Sequence, residues 1–123
     1  MRGFHVLLVD DNFVFNLETC EFLQARGFDV EATYNADAAI AAIDRSERLS
    51  GLVTDIDLGP GPDGFAVARH ARSRYPHLPV VYVSANPDLS PAQGVDGAVF
   101  IFKPLDPALI VVALDRAIRL EAA

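Results

Sequence analysis

Residues 52–59 read Leu52-Val53-Thr54-Asp55-Ile56-Asp57-Leu58-Gly59, a short apolar run that leads to an aspartate and then to turn-forming residues. The chain continues with Pro60-Gly61-Pro62, so regular structure is expected to break there. This pattern predicts a buried strand that delivers Asp55 to a loop at its carboxyl end. Ligands of open α/β sheets bind at that edge of the sheet. The residues that reach the same edge from other strands therefore determine what the site can do.

Strand and helix patterns alternate five times along the chain, which predicts an α/β fold with a doubly wound parallel sheet. The predicted strands span residues 4–9, 28–32, 79–83 and 98–102, in addition to the run from Leu52. The predicted helices follow caps at Asn12 and Asn35, span residues 64–75, and run from Pro107 to about 120. The helix expected between the last two strands is short, a turn or two from about Pro91 with Ser90 as its cap, because Pro87 and Pro91 both fall in this interval.

Apolar residues at helical spacing predict the faces that turn toward the core. In the first helix these residues are Val14, Phe15, Leu17, Phe22, Leu23 and Ala25. In the second and third helices they are Ala36, Ala39, Ile40, Ile43, Phe65, Val67 and Ala68.

Length and composition describe one globular domain over residues 1–123, because 51% of the residues are hydrophobic and 22% are charged. The net charge of −7 argues against a direct nucleic-acid partner. A single cysteine excludes an internal disulfide, and no apolar run approaches the ~20 residues that span a bilayer. We therefore expect a cytoplasmic protein with no membrane contact.

Polar residues follow four of the five predicted strands. They are Asp10-Asp11, Asp55, Ser84 and Lys103. The carboxyl ends of parallel strands lie on one edge of a sheet, so these side chains are expected to converge on one pocket. Lys103 is the only lysine in the chain, and lysine offers a compact charge suited to a single phosphate oxygen.

Electrostatics then narrows the chemistry of this pocket. Two carboxylates about 4 Å apart repel each other by roughly 4 kcal/mol at an effective dielectric constant of about 20. Asp10, Asp11 and Asp55 therefore need a cation among them, and oxygen ligands with few protein contributors favour Mg²⁺. A carboxylate, a divalent cation, a lysine and a hydroxyl are the groups required to transfer a phosphoryl group onto the carboxylate.

The chain resembles the response-regulator receiver domain of two-component signalling over nearly its full length. The matching segments are Val9-Asp10-Asp11, Thr54-Asp55, Asp63-Gly64, Val83-Ser84-Ala85 and Phe102-Lys103-Pro104. The resemblance implies a (βα)₅ fold with the flavodoxin-like strand order 2-1-3-4-5, and the shortened fourth helix is a departure from the family pattern. It also implies that Asp55 is the phosphoacceptor. Because no second domain is visible in the sequence, we expect a stand-alone receiver.

The same resemblance implies a Mg²⁺ site at the acidic residues. Asp11 and Asp55 would be direct ligands, the main-chain carbonyl of Asp57 a third, and Asp10 would act mostly through water.

Three further residues receive roles from the resemblance. Ser84 would sense the acyl phosphate, Lys103 would pair with it, and Phe100 would be the rotating switch aromatic. The bond between Lys103 and Pro104 would be cis, against a general frequency of about 5% for bonds that precede proline.

The implied phosphodonor is a histidine kinase or a histidine phosphotransfer protein, and the output is contact with an unknown protein. The domain would not be an enzyme in the ordinary sense, because it would catalyse only its own phosphorylation and hydrolysis. Val111, Val112 and Ile118 make the last helix apolar over a wide arc, which leaves open a homodimer through the last strand and helix.

Several alternatives remain at this point. The interval from Asp55 to Gly64 is one residue longer than the common receiver pattern, and Asp57 stands where side chains tune phosphoryl lifetime in the family. These departures favour, as the main alternative, a pseudo-receiver that binds partners regardless of phosphorylation. A phosphate sink differs from a receiver only in having no output partner. Asp55-Ile56-Asp57 also resembles the DxD loop of haloacid-dehalogenase-type phosphatases, which need more chain, and an FMN binder would need a Ser/Thr/Gly-rich first loop.

Overall fold

The computed structural model of the chain describes residues 3–86 and 88–122. The strands are β1 (His5–Val9), β2 (Asp29–Thr33), β3 (Gly51–Asp55), β4 (Val80–Ser84) and β5 (Val99–Phe102). The α-helices are α1 (Phe13–Ala25), α2 (Ala36–Arg45), α3 (Gly64–Arg74) and α4 (Pro107–Ala122), and one 3₁₀ turn covers Pro91–Gln93. No helix in the described part of the chain is long and apolar enough to cross a membrane.

The five strands form one parallel sheet in the order β2-β1-β3-β4-β5. This order confirms the predicted doubly wound fold. The register pairs Val9 with both Thr33 and Thr54, so the first three strands end at the same level. The carboxyl ends of the strands therefore form one continuous edge.

Successive residues of a strand point to opposite faces of the sheet, and this alternation creates two cores. Val6 and Leu8 pack with residues of α1 and α4 on one face. Leu7 and Val9 pack with residues of α2 and α3 on the other. β3 and β4 lie between these two layers, and every residue of both strands is buried.

The helices begin where side chains cap them. The side chain of Asn12 accepts a hydrogen bond from the N–H of Phe15 at 3.0 Å, and that of Asn35 from Ala38 at 2.8 Å. Both predicted caps are confirmed. At α4, Asp106 accepts from the N–H of Ala108 at 2.9 Å, while proline occupies position 107 and needs no hydrogen-bond acceptor for its nitrogen.

The predicted core-facing side of α1 is only partly right: Leu23 is buried as predicted, but three of the other predicted residues face solvent. Val14 is 62% exposed, Leu17 is 45% exposed, and Ala25 also faces solvent. The buried positions of this helix are Asn16, Thr19 and Leu23. Asn16 is buried because α1 crosses the ends of β1 and β2, where its amide side chain binds main-chain carbonyls. The buried Thr19 hydroxyl has no hydrogen-bond partner among the described residues.

Among the described residues between β4 and β5, the 3₁₀ turn is the only helical structure, as predicted for a shortened fourth helix. The Ser90 hydroxyl accepts from the N–H of Ala92 at 3.3 Å, which agrees with its predicted capping role. The segment is anchored to the sheet by Tyr82, whose hydroxyl accepts from the N–H of Val95 at 3.1 Å. Pro87 lies outside the described residues.

Candidate functional site

Three carboxylates and one ammonium meet at the carboxyl edge of the sheet. One oxygen each of Asp10, Asp11 and Asp55 lie within 4.8 Å of one another. The Lys103 Nζ lies 2.9 Å from Asp10 Oδ2 and 3.3 Å from Asp55 Oδ2. Three strand ends therefore bring four charged groups together, as predicted from the sequence.

These groups border an open cleft of about 420 Å³. The lining residues are Asp11, Asn12, Asp55, Asp57, Ser84, Ala85, Asn86 and Lys103. The cleft contains every candidate of the sequence analysis except Asp10, which lies beneath it at 1% exposure, and Phe100. All of the lining residues except Ala85 have polar or charged side chains, so the cleft suits a charged group.

The end of β1 is held in place by hydrogen bonds from the chain around it. The N–H of Asn12 donates to Asp10 Oδ1 at 2.8 Å, which fixes that carboxylate. The side-chain amide of Asn16 donates to the carbonyls of Asp10 at 3.0 Å and Thr33 at 2.9 Å, and so ties β1, β2 and α1 together. Both Asp10 oxygens are engaged, whereas the exposed Asp11 carboxylate has no hydrogen bond to any described residue.

The loop after β3 turns back on Asp55. The N–H of Asp57 donates to Asp55 Oδ1 at 3.2 Å, and the Asp57 carboxylate accepts from the N–H of Gly59 at 3.2 Å. Gly59 has φ +81°, a conformation that favours glycine, so this turn depends on a residue without a side chain. The Asp57 side chain is thereby held by its own loop.

The ends of β4 and β5 are linked directly. The N–H of Lys103 donates to the carbonyl of Ser84 at 2.8 Å, and the Ser84 hydroxyl accepts from the N–H of Asn86 at 3.0 Å. The peptide bond between Lys103 and Pro104 is cis, as predicted. The lysine stem therefore starts from a fixed backbone position beside the serine.

Burial and charge make the site electrostatically unbalanced. The pKa of Asp55 is raised from 3.8 to about 6, first by burial and then by the charge of Asp10, against the lowering effect of Lys103. Desolvation pulls the pKa of Lys103 down, but its contacts with the two aspartates together outweigh burial and leave that pKa raised. One lysine thus balances the carboxylates only in part.

Phe100 lies away from the cleft, half-buried in an aromatic group on β4, β5 and α3. Its ring centroid is 4.8 Å from that of Tyr82 and 6.3 Å from that of Phe65. A Cβ atom on Gly94 would lie 3.0 Å from the Phe100 ring, so the segment before β5 closes directly over it. Phe100 therefore links β5 to that segment, and its role as a switch stays a prediction.

Sequence reasoning missed three residues of the site. Asn86 lines the cleft, Asn16 holds the end of β1, and Phe15 places its ring 4.3 Å from the Lys103 ammonium. Asn16 could have been suspected, because an amide interrupts an apolar stretch. Nothing in the local pattern distinguishes Phe15 from an ordinary core residue.

Comparison with known proteins assigns this arrangement to a family. The family model for the response regulator receiver domain matches residues 6–115. The chain belongs to the response regulator receiver family. All the residues that converge at the sheet edge fall within the matched region of this receiver.

The similar curated proteins are longer than this receiver. It is 33% identical over 86 residues to the sensor protein TorS of Escherichia coli, covering 70% of this chain and 9% of TorS. It is 30% identical over 116 residues to the response regulator receiver protein Anae109_2439 of Anaeromyxobacter, covering 90% of this chain and 44% of that protein. The chain thus spans less than half the length of these relatives.

Solved structures show the same fold. A response regulator receiver protein from Sinorhizobium medicae superposes with a TM-score of 0.90 at 32% identity, over 94% of each chain. The receiver domain of the sensor histidine kinase PA1611 from Pseudomonas aeruginosa superposes with a TM-score of 0.83 at 24% identity, over 95% of this chain and 98% of that one. That structure is described with a magnesium ion coordinated in the active site cleft.

The raised pKa of Asp55 predicts a pH dependence of stability for the metal-free receiver. The native state holds the Asp55 proton more tightly than the unfolded chain, so this group destabilises the fold as pH rises from 3.8 to about 6. Melting temperatures in the presence of a chelator, compared with those of Asp55→Asn, isolate this group from the other carboxylates. The wild type should lose stability relative to the variant across this interval. A constant difference at all pH values would contradict the prediction.

Proposed function

We propose that this receiver accepts a phosphoryl group on the Asp55 carboxylate in a Mg²⁺-dependent reaction and passes the signal on by protein contact. The donor is a histidine kinase or a histidine phosphotransfer protein. The observation that carries the proposal is the buried Asp55 carboxylate at an open cleft, in contact with Lys103 and beside two more carboxylates. Family membership supports the same reaction.

The donor set of the site fits Mg²⁺. It consists of carboxylate oxygens, which are the ligands that hard divalent cations prefer. Asp11 and Asp55 would hold the ion with the main-chain carbonyl of Asp57, while Asp10, whose two oxygens already accept hydrogen bonds, would act through water. When bound, the cation neutralises charge on the carboxylates and on the incoming phosphoryl group.

The side chains have distinct roles in the transfer. An Asp55 oxygen attacks phosphorus in line, the bond from phosphorus to the donor imidazole nitrogen breaks, and its electron pair stays on that nitrogen. Lys103 moves from Asp55 to an oxygen of the arriving group, and the Ser84 hydroxyl donates to another. Both side chains line the same cleft as Asp55, which supports these roles.

The surface beside the cleft supports a protein donor. Phe13, Val14 and Leu17 expose apolar side chains on α1, and the Phe13 ring stacks on Tyr34 with centroids 6.0 Å apart. α1 starts directly after Asp11, so an apolar face of a donor helix docked there would bring its phosphohistidine close to Asp55. Leu17→Glu should slow transfer from a phosphorylated protein donor and leave the reaction with acetyl phosphate unchanged.

The output surface is proposed on β5 and α4. Phe102, Leu109 and Val112 are exposed there, and β5 is the edge strand of the sheet. Because the described residues of the segment before β5 form a single 3₁₀ turn, a partner or a second copy of the chain can reach this edge. Sedimentation with and without a phosphodonor distinguishes these two occupants.

The decisive experiment is incubation with acetyl phosphate and Mg²⁺, followed by intact mass spectrometry. The mass should increase by one phosphoryl group, and removal of the cation by a chelator should prevent the increase. Peptide mapping after reduction with borohydride should place the modification at Asp55. An unmodified protein under these conditions would contradict the proposal and favour a pseudo-receiver that binds partners constitutively.

A further inference from the structure

We propose that Phe15 is a positioning residue for phosphoryl transfer, which holds the Lys103 ammonium through a cation–π contact. The proposal rests on the function proposed above. It is motivated by the distance of 4.3 Å between Lys103 Nζ and the centroid of the Phe15 ring. An ammonium within about 6 Å of a ring centroid is attracted by the negative face of the ring.

The Lys103 ammonium group lies between two carboxylates and an aromatic ring. The group has three N–H donors, and two of its partners are Asp10 Oδ2 at 2.9 Å and Asp55 Oδ2 at 3.3 Å. Phe15 covers a further side. The lysine side chain is only 17% exposed, so the ammonium is partly desolvated and the contact is stronger than one at a fully exposed site.

Contacts within α1 and with the core hold Phe15 in place. Its own N–H donates to the capping side chain of Asn12 at 3.0 Å, which fixes the first turn of α1. The next residue, Asn16, is fully buried and binds the carbonyl of Asp10. The Phe15 side chain packs against the core between the sheet, α1 and α4. The ring therefore needs no rearrangement to meet the ammonium.

This placement matters because Lys103 changes partners during the reaction. Its ammonium must leave Asp55 Oδ2 and bind an oxygen of the phosphoryl group, and its flexible stem allows many unproductive positions. Phe15 and Asp10 keep the ammonium beside the cleft while its contact with Asp55 Oδ2 is replaced by one with the phosphoryl group. A charge that already lies beside the reacting group lowers the barrier, because the side chain does not have to reorganise during the reaction.

The competing explanation is that Phe15 packs in the core and has no effect on the lysine. A pair of substitutions separates the two roles. Phe15→Leu keeps an apolar side chain but removes the ring face, and Phe15→Tyr keeps the ring face. Phe22→Leu is the matched control, because Phe22 is on the same helix but contacts Arg26 instead.

Lys103 is the only lysine, so lysine labelled with ¹³C at Cε produces a single side-chain signal. In the wild type and in Phe15→Tyr we expect the attached protons to be shifted upfield by the ring. This shift should vanish in Phe15→Leu and persist in Phe22→Leu. The measurement needs neither Mg²⁺ nor phosphorylation, so it tests the contact independently of the proposed function.

The kinetic measurement is the rate of Asp55 phosphorylation by acetyl phosphate at saturating Mg²⁺. Phe15→Leu should be about three- to tenfold slower, the range expected from loss of one partly desolvated cation–π contact, while Phe15→Tyr and Phe22→Leu stay near the wild-type rate. A Lys103 signal that does not respond to Phe15→Leu would overturn the contact. An altered signal with a wild-type rate, or an equal rate loss in Phe15→Tyr, would overturn the positioning role. Absence of phosphorylation in all four proteins would instead overturn the proposed function, and the inference with it.

Discussion

Asp55→Asn should abolish phosphorylation and at the same time raise the stability of the metal-free receiver at neutral pH. The amide has no anionic oxygen to attack phosphorus, so no phosphoryl group should appear in intact mass spectra with acetyl phosphate and Mg²⁺. The stability gain follows from removal of a buried charge whose pKa is raised to about 6. Loss of function with gain of stability is the pattern expected of a strained reactive group.

The pKa of Asp55 sets an upper limit on the increase in the free energy of unfolding of Asp55→Asn. At about 1.4 kcal/mol for each pKa unit, ionised Asp55 destabilises the native state at neutral pH by up to about 3 kcal/mol. The variant also loses the contact with Lys103, which keeps its partner Asp10. We therefore expect a net gain of about 1–2 kcal/mol in the free energy of unfolding, measured by urea titration in the presence of a chelator.

The control is Asp88→Asn, the same chemical change at an exposed residue outside the site. It should leave both stability and phosphorylation near the wild-type values. Mg²⁺ should stabilise the wild type more than Asp55→Asn, because the variant has lost one of the proposed ligands. A destabilised Asp55→Asn protein would show that Asp55 serves mainly as a structural ion-pair partner.

Gly64→Ala should be among the most destabilising single substitutions in the chain. A Cβ atom at this position would lie 2.1 Å from the carbonyl oxygen of Asp55 and 2.8 Å from Cα of Ile56. Both are backbone atoms at the junction of β3 and the loop after it, where the proposed phosphoacceptor lies, so neither can move alone. The N–H of Gly64 also donates to the carbonyl of Ile56 at 2.8 Å, which holds the first turn of α3 against this loop.

Two opposing terms decide the result for Gly64→Ala. Alanine stabilises a helix by about 1 kcal/mol relative to glycine, whereas displacement of packed backbone destabilises the native state by more than that. We expect a net loss of about 2–4 kcal/mol in urea titrations, together with slower phosphorylation because Asp55 moves. Gly61→Ala is the control: its surroundings are open within 4 Å and its φ is +97°, so it should lose only about 1–2 kcal/mol and keep the reaction. Equal losses in both variants would point to backbone strain rather than close approach.

The placement of the candidate site was predictable because parallel topology leaves little freedom. Asp10, Asp55 and Lys103 each follow a strand, and all parallel strands of a sheet end at the same edge. The helix caps were equally predictable, because Asn12 and Ser90 accept hydrogen bonds from N–H groups only two or three residues away along the chain. The shortened fourth helix followed from the same local reasoning.

The buried side of α1 was not predictable from its apolar residues. Apolar spacing predicted that Val14 and Leu17 are buried, but both are exposed. The prediction failed because the periodicity of a helix does not show which elements pack against it. Asn16 is buried instead, since it satisfies carbonyls at the ends of two strands. An exposed apolar surface beside the cleft is the consequence, and it is visible only in the packed structure.

The sequence by itself determined which chemical groups meet at the sheet edge, because strand ends and turn residues are set by neighbours along the chain. Tertiary structure alone decided how those groups are supported. Phe15 meets Lys103 across 88 positions of sequence, and Gly64 must lack a side chain because the Asp55 carbonyl passes 2.1 Å from where its Cβ would be. Contacts of this kind depend on distances between elements, which no local pattern encodes.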